Sequence, residues 1–102
     1  MKTYTGDRTI DGVVVEVNGQ ELPSHTDIRK FTNADYEWGY EGLAATQLAF
    51  AMLYDHTGDA SLAIRLATAF MEKVTANFGN DWEMTSADMD SAIDQIEPVR
   101  AG

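Results

Sequence analysis

The chain has 102 residues, and its 17 acidic against 7 basic side chains give a formal net charge of -10 at pH 7. A surface of that sign repels nucleic acid and anionic lipid headgroups, and it steers association toward basic protein surfaces through attraction that salt screens. The composition is 44% hydrophobic, which predicts a single compact domain over residues 1–102 rather than an acidic disordered tail.

Cysteine is absent, so the chain has no disulfide framework, no thiol nucleophile and no thiolate metal site. The first residues lack the apolar run of a signal peptide. No stretch approaches the ~20 apolar residues that span a bilayer. These features predict a cytoplasmic protein.

The N-terminal part of the chain has the pattern of a β-hairpin. Residues 11–22 join a β-branched run to a short second arm through Asn18-Gly19, a dipeptide that readily adopts the two positive φ angles of a two-residue turn. Valines at alternate positions predict one apolar face that packs against helices. We also expect a short strand around residues 2–5 to pair along the edge, and Pro23 to end the second arm.

Helices are predicted after the hairpin. The first begins at Leu43 and continues through strong helix formers to Tyr54, with Gly58 placed as a left-handed C-terminal cap. The second begins at Asp59, its N-cap, and continues to about Phe78, because apolar residues recur every four positions.

A third helix is predicted from a variant capping box at residues 85–88, Thr-Ser-Ala-Asp, in which Asp replaces the usual Glu or Gln. It continues to about Glu97, and Pro98 ends it. The expected fold class is therefore α+β, with a small antiparallel sheet formed by the N-terminal hairpin and followed by three helices.

Acidic residues are concentrated at residues 80–102, where Arg100 is the only base. On the third helix, Asp90, Asp94 and Glu97 recur at i, i+4 and i+7 beside an apolar stripe. Like charges at this spacing cost a few tenths of a kcal/mol per pair (about 0.2–0.5), which suggests selection for binding a partner. This row is the predicted partner-binding site. The supporting acids are Asp81, Glu83 and Asp88.

Three explanations of the acidity remain open. A solvated helix face, with Asp88 favoured by the helix N-terminal dipole, needs no partner. Adaptation to a high-salt cytoplasm fits a chain with few lysines. Carboxylates at i and i+4 are about 6 Å apart along a helix axis, whereas a DNA strand has one phosphate per ~3.4 Å. Mimicry of nucleic acid would therefore need a composite patch, in which Asp81, Glu83 and acids of the sheet or of residues 36–41 join the row.

Motifs for catalysis or metal binding are missing. His25 and His56 do not have the paired spacing of metal ligands, and the trio of Asp55, His56 and Asp59 lacks the dense oxygen ligands of a calcium-binding loop. The glycines near position 40 are not followed by the Lys-Ser/Thr of a phosphate loop. We expect no enzyme activity, no cofactor, no metal, and no direct binding to nucleic acid or membrane.

Aromatic residues alternate with acidic residues or glycine in the segment that includes Tyr36, Trp38 and Tyr40. An extended backbone would place the three rings on one side. Packing beneath the first helix is the simpler interpretation. The alternative is a cluster that recognises a cation through ring faces or mediates self-association.

The aromatic segment is part of a longer pattern. It comprises Trp-Gly-Tyr-Glu-Gly at residues 38–42, Gln-Leu-Ala-Phe-Ala-Met-Leu at residues 47–53, and an N-terminal Tyr4-x-Gly6-x-Arg8. With these motifs the chain resembles, over most of residues 4–95, a family of small proteins carried by phages, plasmids and other mobile elements. It departs from that pattern at residues 43–46, where Leu-Ala-Ala-Thr replaces a Ser-Gly-Pro-Ala type of helix entry.

The resemblance implies a genomic setting rather than an activity. Small acidic proteins in that setting are often inhibitors of host defence, including anti-CRISPR proteins that present carboxylates to a basic nucleic-acid groove. By this analogy we expect a non-enzymatic inhibitor in the host cytoplasm, a monomer or small homo-oligomer, that binds a basic surface of a CRISPR effector subunit. The alternative is a housekeeping module that binds a small ligand or self-associates through residues 36–40.

Overall fold

The computed structural model describes residues 2–33 and 36–97. Within them, a four-stranded antiparallel sheet in the order β3-β2-β1-β4 packs with three helices. The strands are β1 (Thr3–Thr9), β2 (Gly12–Val17), β3 (Gln20–Glu21) and β4 (Asp81–Thr85), and the helices are α1 (Leu43–Thr57), α2 (Ala60–Lys73) and α3 (Ser86–Ile96). This architecture confirms the predicted α+β class.

The predicted hairpin forms β2 and β3. Asn18 (φ 51°) and Gly19 (φ 81°) supply the two positive φ angles of its turn. Val15 is buried whereas Val14 is 44% exposed, so the valines alternate between a core face and an outer face as expected. β1 is longer than predicted, since it continues to Thr9 and pairs with β2 from Tyr4 to Thr9.

The strand β4 lies where the sequence predicted only a connection between the last two helices. It pairs antiparallel with β1 and alternates exposed and buried residues, with Trp82 and Met84 facing the core. The strand is short and carries acids at alternate positions, so its propensity is low. Pairing with a distant segment of the chain stabilises it, and that pairing leaves no local signal.

Helix α1 is the central helix, because every residue from Ala45 to Leu53 is buried. It ends at the predicted left-handed cap, Gly58 (φ 70°). The sheet is joined to its C-terminal end at Asp55. The Tyr4 hydroxyl donates to Asp55 Oδ2 at 2.7 Å, and Lys2 Nζ lies 3.1 Å from the same oxygen. Burial, reinforced by this hydrogen bond to a carboxylate, raises the pKa of the Tyr4 phenol.

Helix α2 begins after the N-cap Asp59 as predicted, but it ends at Lys73 instead of continuing to about Phe78. A 3₁₀ turn follows at Thr75–Asn77. The buried Thr75 hydroxyl donates to the Ala45 carbonyl oxygen on α1 at 3.0 Å, and this tertiary contact takes the chain out of the helix. A contact with another helix cannot be inferred from the periodicity of α2 alone.

Helix α3 begins with the predicted capping box. Thr85 Oγ1 accepts from the Asp88 amide at 3.2 Å, and Asp88 Oδ2 accepts from the Thr85 amide at 2.9 Å. Pro98, predicted to end the helix, lies outside the described residues. Within the part that is described, none of the helices has the length and apolar character to cross a membrane.

Candidate functional site

The acids predicted to form a row on α3 do share one surface. Asp90, Asp94 and Glu97 line a shallow depression together with Ser91 and Ile93. The i, i+4, i+7 spacing of a helix brings them there. Binding of a partner at this row stays a prediction.

Basic side chains from the other helices reach two members of this row. His56 Nε2 at the end of α1 lies 2.6 Å from Asp90 Oδ1, and Arg65 Nη2 on α2 lies 2.9 Å from Glu97 Oε2. The Arg65–Glu97 pair is exposed and contributes little to stability. The His56 side chain is mostly buried, whereas its partner Asp90 is mostly exposed. Arg65 offsets the charge of Glu97, so the row is less negative than its three carboxylates alone would make it.

Asp88, predicted to support the row, has a structural role. Its carboxylate closes the capping box with Thr85, so it satisfies an amide that the first turn of α3 leaves unpaired. The acidity of this position is explained by helix initiation.

A second group of acids lies on the face of the sheet that points away from the helices. The strand register places Glu21 opposite Glu16, Glu16 opposite Thr5, and Thr5 opposite Glu83, which forms one row across all four strands. Neighbouring strands are about 4.8 Å apart. We call this surface the acidic sheet face, and its carboxylates are those of Asp7, Glu16, Glu21, Asp81 and Glu83.

The strands contain a single basic residue, Arg8, and its side chain lies on the opposite face. There Arg8 Nη2 donates to the Trp38 carbonyl oxygen at 3.0 Å and pairs with Glu37 Oε1 at 2.9 Å. The guanidinium also lies over the Trp38 ring, 5.2 Å from its centroid. No basic side chain of the strands therefore neutralises the acidic sheet face.

One pair of carboxylates on the acidic sheet face raises the pKa of one of its members. Asp7 on β1 is directly opposite Asp81 on β4. A hydrogen bond to Asp81 is the main cause that raises the pKa of Asp7 above its ordinary value, and the negative charges of Asp81 and Glu16 add to the effect. Like charges are thus concentrated on this face, and their repulsion disfavours the ionised form of Asp7.

The structure divides the six predicted site residues between two surfaces and a cap. Asp81 and Glu83 belong to the acidic sheet face, whereas Asp90, Asp94 and Glu97 lie on α3 and Asp88 caps that helix. The sequence analysis suggested that acids of the sheet could join a composite patch, but it named no other member of the acidic sheet face. Asp7 and Glu16 do alternate with inward-facing residues, but only the pairing of β1 with β4 places them beside Asp81 and Glu83.

The aromatic segment does not present three rings on one surface. Trp38 is fully buried and packs edge-to-face on Trp82, with ring centroids 5.8 Å apart, and Tyr40 is 53% exposed. The Tyr36 hydroxyl donates to the Leu22 carbonyl oxygen at 2.6 Å. Gly39 (φ 89°) turns the backbone between Trp38 and Tyr40, which interrupts the alternation that an extended strand would give.

Metal-binding geometry is not found in the described residues, where no group of three or more His, Asp or Glu side chains is arranged to hold an ion. The His56 imidazole instead contacts Asp90.

Comparison with known proteins identifies a family. The model of a family of unknown function (DUF6166) matches residues 4–95. No curated protein and no solved structure matches the chain.

Proposed function

We propose a function from surface chemistry, because the chain belongs to the DUF6166 family, whose function is unknown. In this proposal the protein is a non-enzymatic inhibitor, and its acidic sheet face binds a basic protein surface that otherwise binds nucleic acid. The observation that carries the proposal is the placement of five carboxylates on one face of the sheet, while the only basic residue of the strands lies on the other.

The spacing of the acidic sheet face supports mimicry of nucleic acid better than a single helical row does. Alternate residues of a strand, such as Asp81 and Glu83, are about 6.8 Å apart, which is also the axial distance of every second phosphate on a DNA strand. Across the sheet, carboxylates on neighbouring strands are ~4.8 Å apart. The sheet thus offers the composite patch that one helix cannot.

The cost of the arrangement also favours binding over solubility. Like charges directly opposite each other on neighbouring strands destabilise a sheet, and Glu16 faces Glu21 while Asp7 faces Asp81. Acids anywhere on the surface would serve solubility or salt adaptation. Neither role explains why acids lie directly opposite each other on paired strands.

The finer proposal concerns the setting and the partner. The motifs at residues 38–42 and 47–53 are similar to those of mobile-element proteins, a setting in which acidic inhibitors of host defence are frequent. We therefore take the partner to be the nucleic-acid-binding groove of a CRISPR effector subunit, which makes the protein anti-CRISPR-like.

Three variants with equal loss of charge test where binding occurs. The first neutralises the acidic sheet face at Glu16→Gln, Glu21→Gln and Glu83→Gln. The second neutralises the α3 row at Asp90→Asn, Asp94→Asn and Glu97→Gln. The third is a control at exposed acids away from both surfaces, Asp27→Asn, Glu41→Gln and Glu72→Gln.

Affinities for purified CRISPR effectors are measured at about 50 mM and about 200 mM salt, a range over which electrostatic binding weakens strongly. We expect the sheet-face variant to bind roughly tenfold more weakly, equivalent to ~1.4 kcal/mol. The control variant should match the wild type. Binding that is indifferent to salt and to the sheet-face substitutions, or lost only in the α3 variant, would refute the proposal.

A further inference from the structure

One edge of the sheet is only partly covered. β3 pairs with the end of β2 at Glu16 and Val17, and it stops after Glu21. Pro23, two residues later, has no amide hydrogen to continue the ladder. The first half of β2 therefore has β1 on one side and no strand on the other.

The backbone of Val13 points toward this open side. The Leu22 amide donates to the Val15 carbonyl oxygen at 3.0 Å, which shows that Val15 faces the β3 side. The amide and carbonyl groups of an antiparallel strand alternate in direction with each residue, so Val13 faces the same side. No described residue forms a main-chain hydrogen bond with Val13 on that side.

A groove runs along this edge, with a volume of about 290 Å³. It is lined by Val13, Val14 and Val15 of β2, by Leu22 and Tyr36, and by the polar residues Glu21 and Ser24. An unpaired strand edge beside such a groove is how proteins bind extended peptides by strand addition.

The charges around the groove select the occupant. Glu21 lines it, and Glu16 lies directly opposite Glu21 on the outer face. A second copy of this chain carries the same net charge of -10 and the same acids beside this edge, which disfavours an edge-to-edge dimer. An extended segment with Lys or Arg on its outer face would be attracted instead.

We propose that the edge of β2 at Val13 binds an extended, basic segment of a partner protein as an added strand. The residue of that segment opposite Val13 is small and apolar, and its two neighbours are Lys or Arg on the outer face of the sheet, within diagonal reach of Glu16 and Glu21. This inference rests on the proposed function only in taking the partner to be basic. It adds how the partner binds, namely as an added strand.

The test uses the wild-type protein and the pentapeptide acetyl-Lys-Val-Lys-Val-Lys-amide. Two further peptides are methylated on backbone nitrogens. The first is methylated at every lysine and the second at every valine. Each peptide thus lacks the amide donors along one edge of the bound strand. All three peptides have the same charge and the same side chains. Strand addition uses one edge only, so one methylated peptide should lose at least about tenfold in affinity while the other binds like the parent.

A variant of the protein gives an independent measurement. Val13→Pro removes the amide hydrogen that points to the open side of β2, where no described residue offers it a backbone acceptor. Val13→Thr keeps this hydrogen and is the matched control. Peptide binding should be lost in the first variant and kept in the second. In the wild type, hydrogen exchange at the Val13 amide should slow when the peptide is bound.

The outcomes separate the two proposals. If both methylated peptides bind alike and only salt and the sheet-face substitutions weaken binding, strand addition is overturned and the proposed function stands. If methylation discriminates but the sheet-face variant still binds effectors normally, the proposed function fails alone. A dimer that Val13→Pro dissociates would show that the edge pairs with a second copy, which also overturns this inference.

Discussion

Asp7 and Asp81 lie directly opposite each other on β1 and β4, and the Asp81 side chain raises the pKa of Asp7 above its ordinary value. Like charges directly opposite each other destabilise paired strands, so this pair opposes folding of the sheet. A basic partner would relieve this repulsion, which links the stability of the sheet to the proposed binding.

The raised pKa of Asp7 gives the first prediction. A carboxyl whose pKa is higher in the folded than in the unfolded state favours folding while protonated, and this contribution is lost as pH rises through the folded-state pKa. Asp7→Asn should therefore raise the melting temperature at pH 7, and the gain should shrink as pH falls toward the ordinary pKa of 3.8. Asp27→Asn, with the same charge change in an exposed loop, is the control. Equal shifts in both variants at every pH would contradict the pairing.

Gly6 gives a second prediction, because the Trp82 indole lies where a β-carbon of residue 6 would be. Gly6→Ala should lower the free energy of unfolding by about 1–3 kcal/mol through overpacking. Gly79→Ala is the matched control, since its nearest heavy atom lies 4.0 Å from the added carbon. Denaturant unfolding measures both, and the account of β4 is wrong if the two variants are equally stable.

The capping role of Asp88 gives a third prediction. Asp88→Ala removes one half of the capping box and should cost about 0.5–2 kcal/mol of unfolding free energy. Glu72→Ala, at an exposed position of α2, should change stability by less than about 0.5 kcal/mol. Thermal unfolding of both variants, together with the effector affinities, separates the roles. A stable Asp88→Ala protein that has lost effector binding would instead place Asp88 in the binding site.

The burial of Trp38 gives a fourth prediction. Its ring is fully buried between Arg8 and Trp82, so Trp38→Ala should destabilise the protein by about 3–5 kcal/mol. Tyr40→Ala should have a small effect, because that ring is half exposed. Urea unfolding tests both. A Trp38→Ala protein of normal stability that fails to respond to a small cationic ligand would support the housekeeping alternative.

The elements that the sequence predicted well have local causes. The Asn18-Gly19 turn, the Gly58 cap and the capping box at residues 85–88 each depend on residues a few positions apart, and all three are present. The end of α2 and the strand β4 were missed because each depends on a contact with a distant segment, through Thr75 to α1 and through β1.

The same distinction separates the predicted from the observed acidic surfaces. Helical periodicity relates Asp90, Asp94 and Glu97 within one element, so their common surface was predictable from spacing. The row formed by Glu21, Glu16 and Glu83 crosses strands from opposite ends of the chain. Its existence depends on strand order and register, and counting charges by segment therefore located only the β4 part of it.

The most direct test of the central claim is competition with nucleic acid. Labelled target DNA is bound to purified CRISPR effector complexes, and its release is followed by fluorescence anisotropy as the protein is added. We predict that the wild type and the Asp27/Glu41/Glu72 control displace the DNA at similar concentrations, whereas the Glu16/Glu21/Glu83 variant needs about ten times more. Displacement by the sheet-face variant at the wild-type concentration, or no displacement by any of the proteins, would contradict the account.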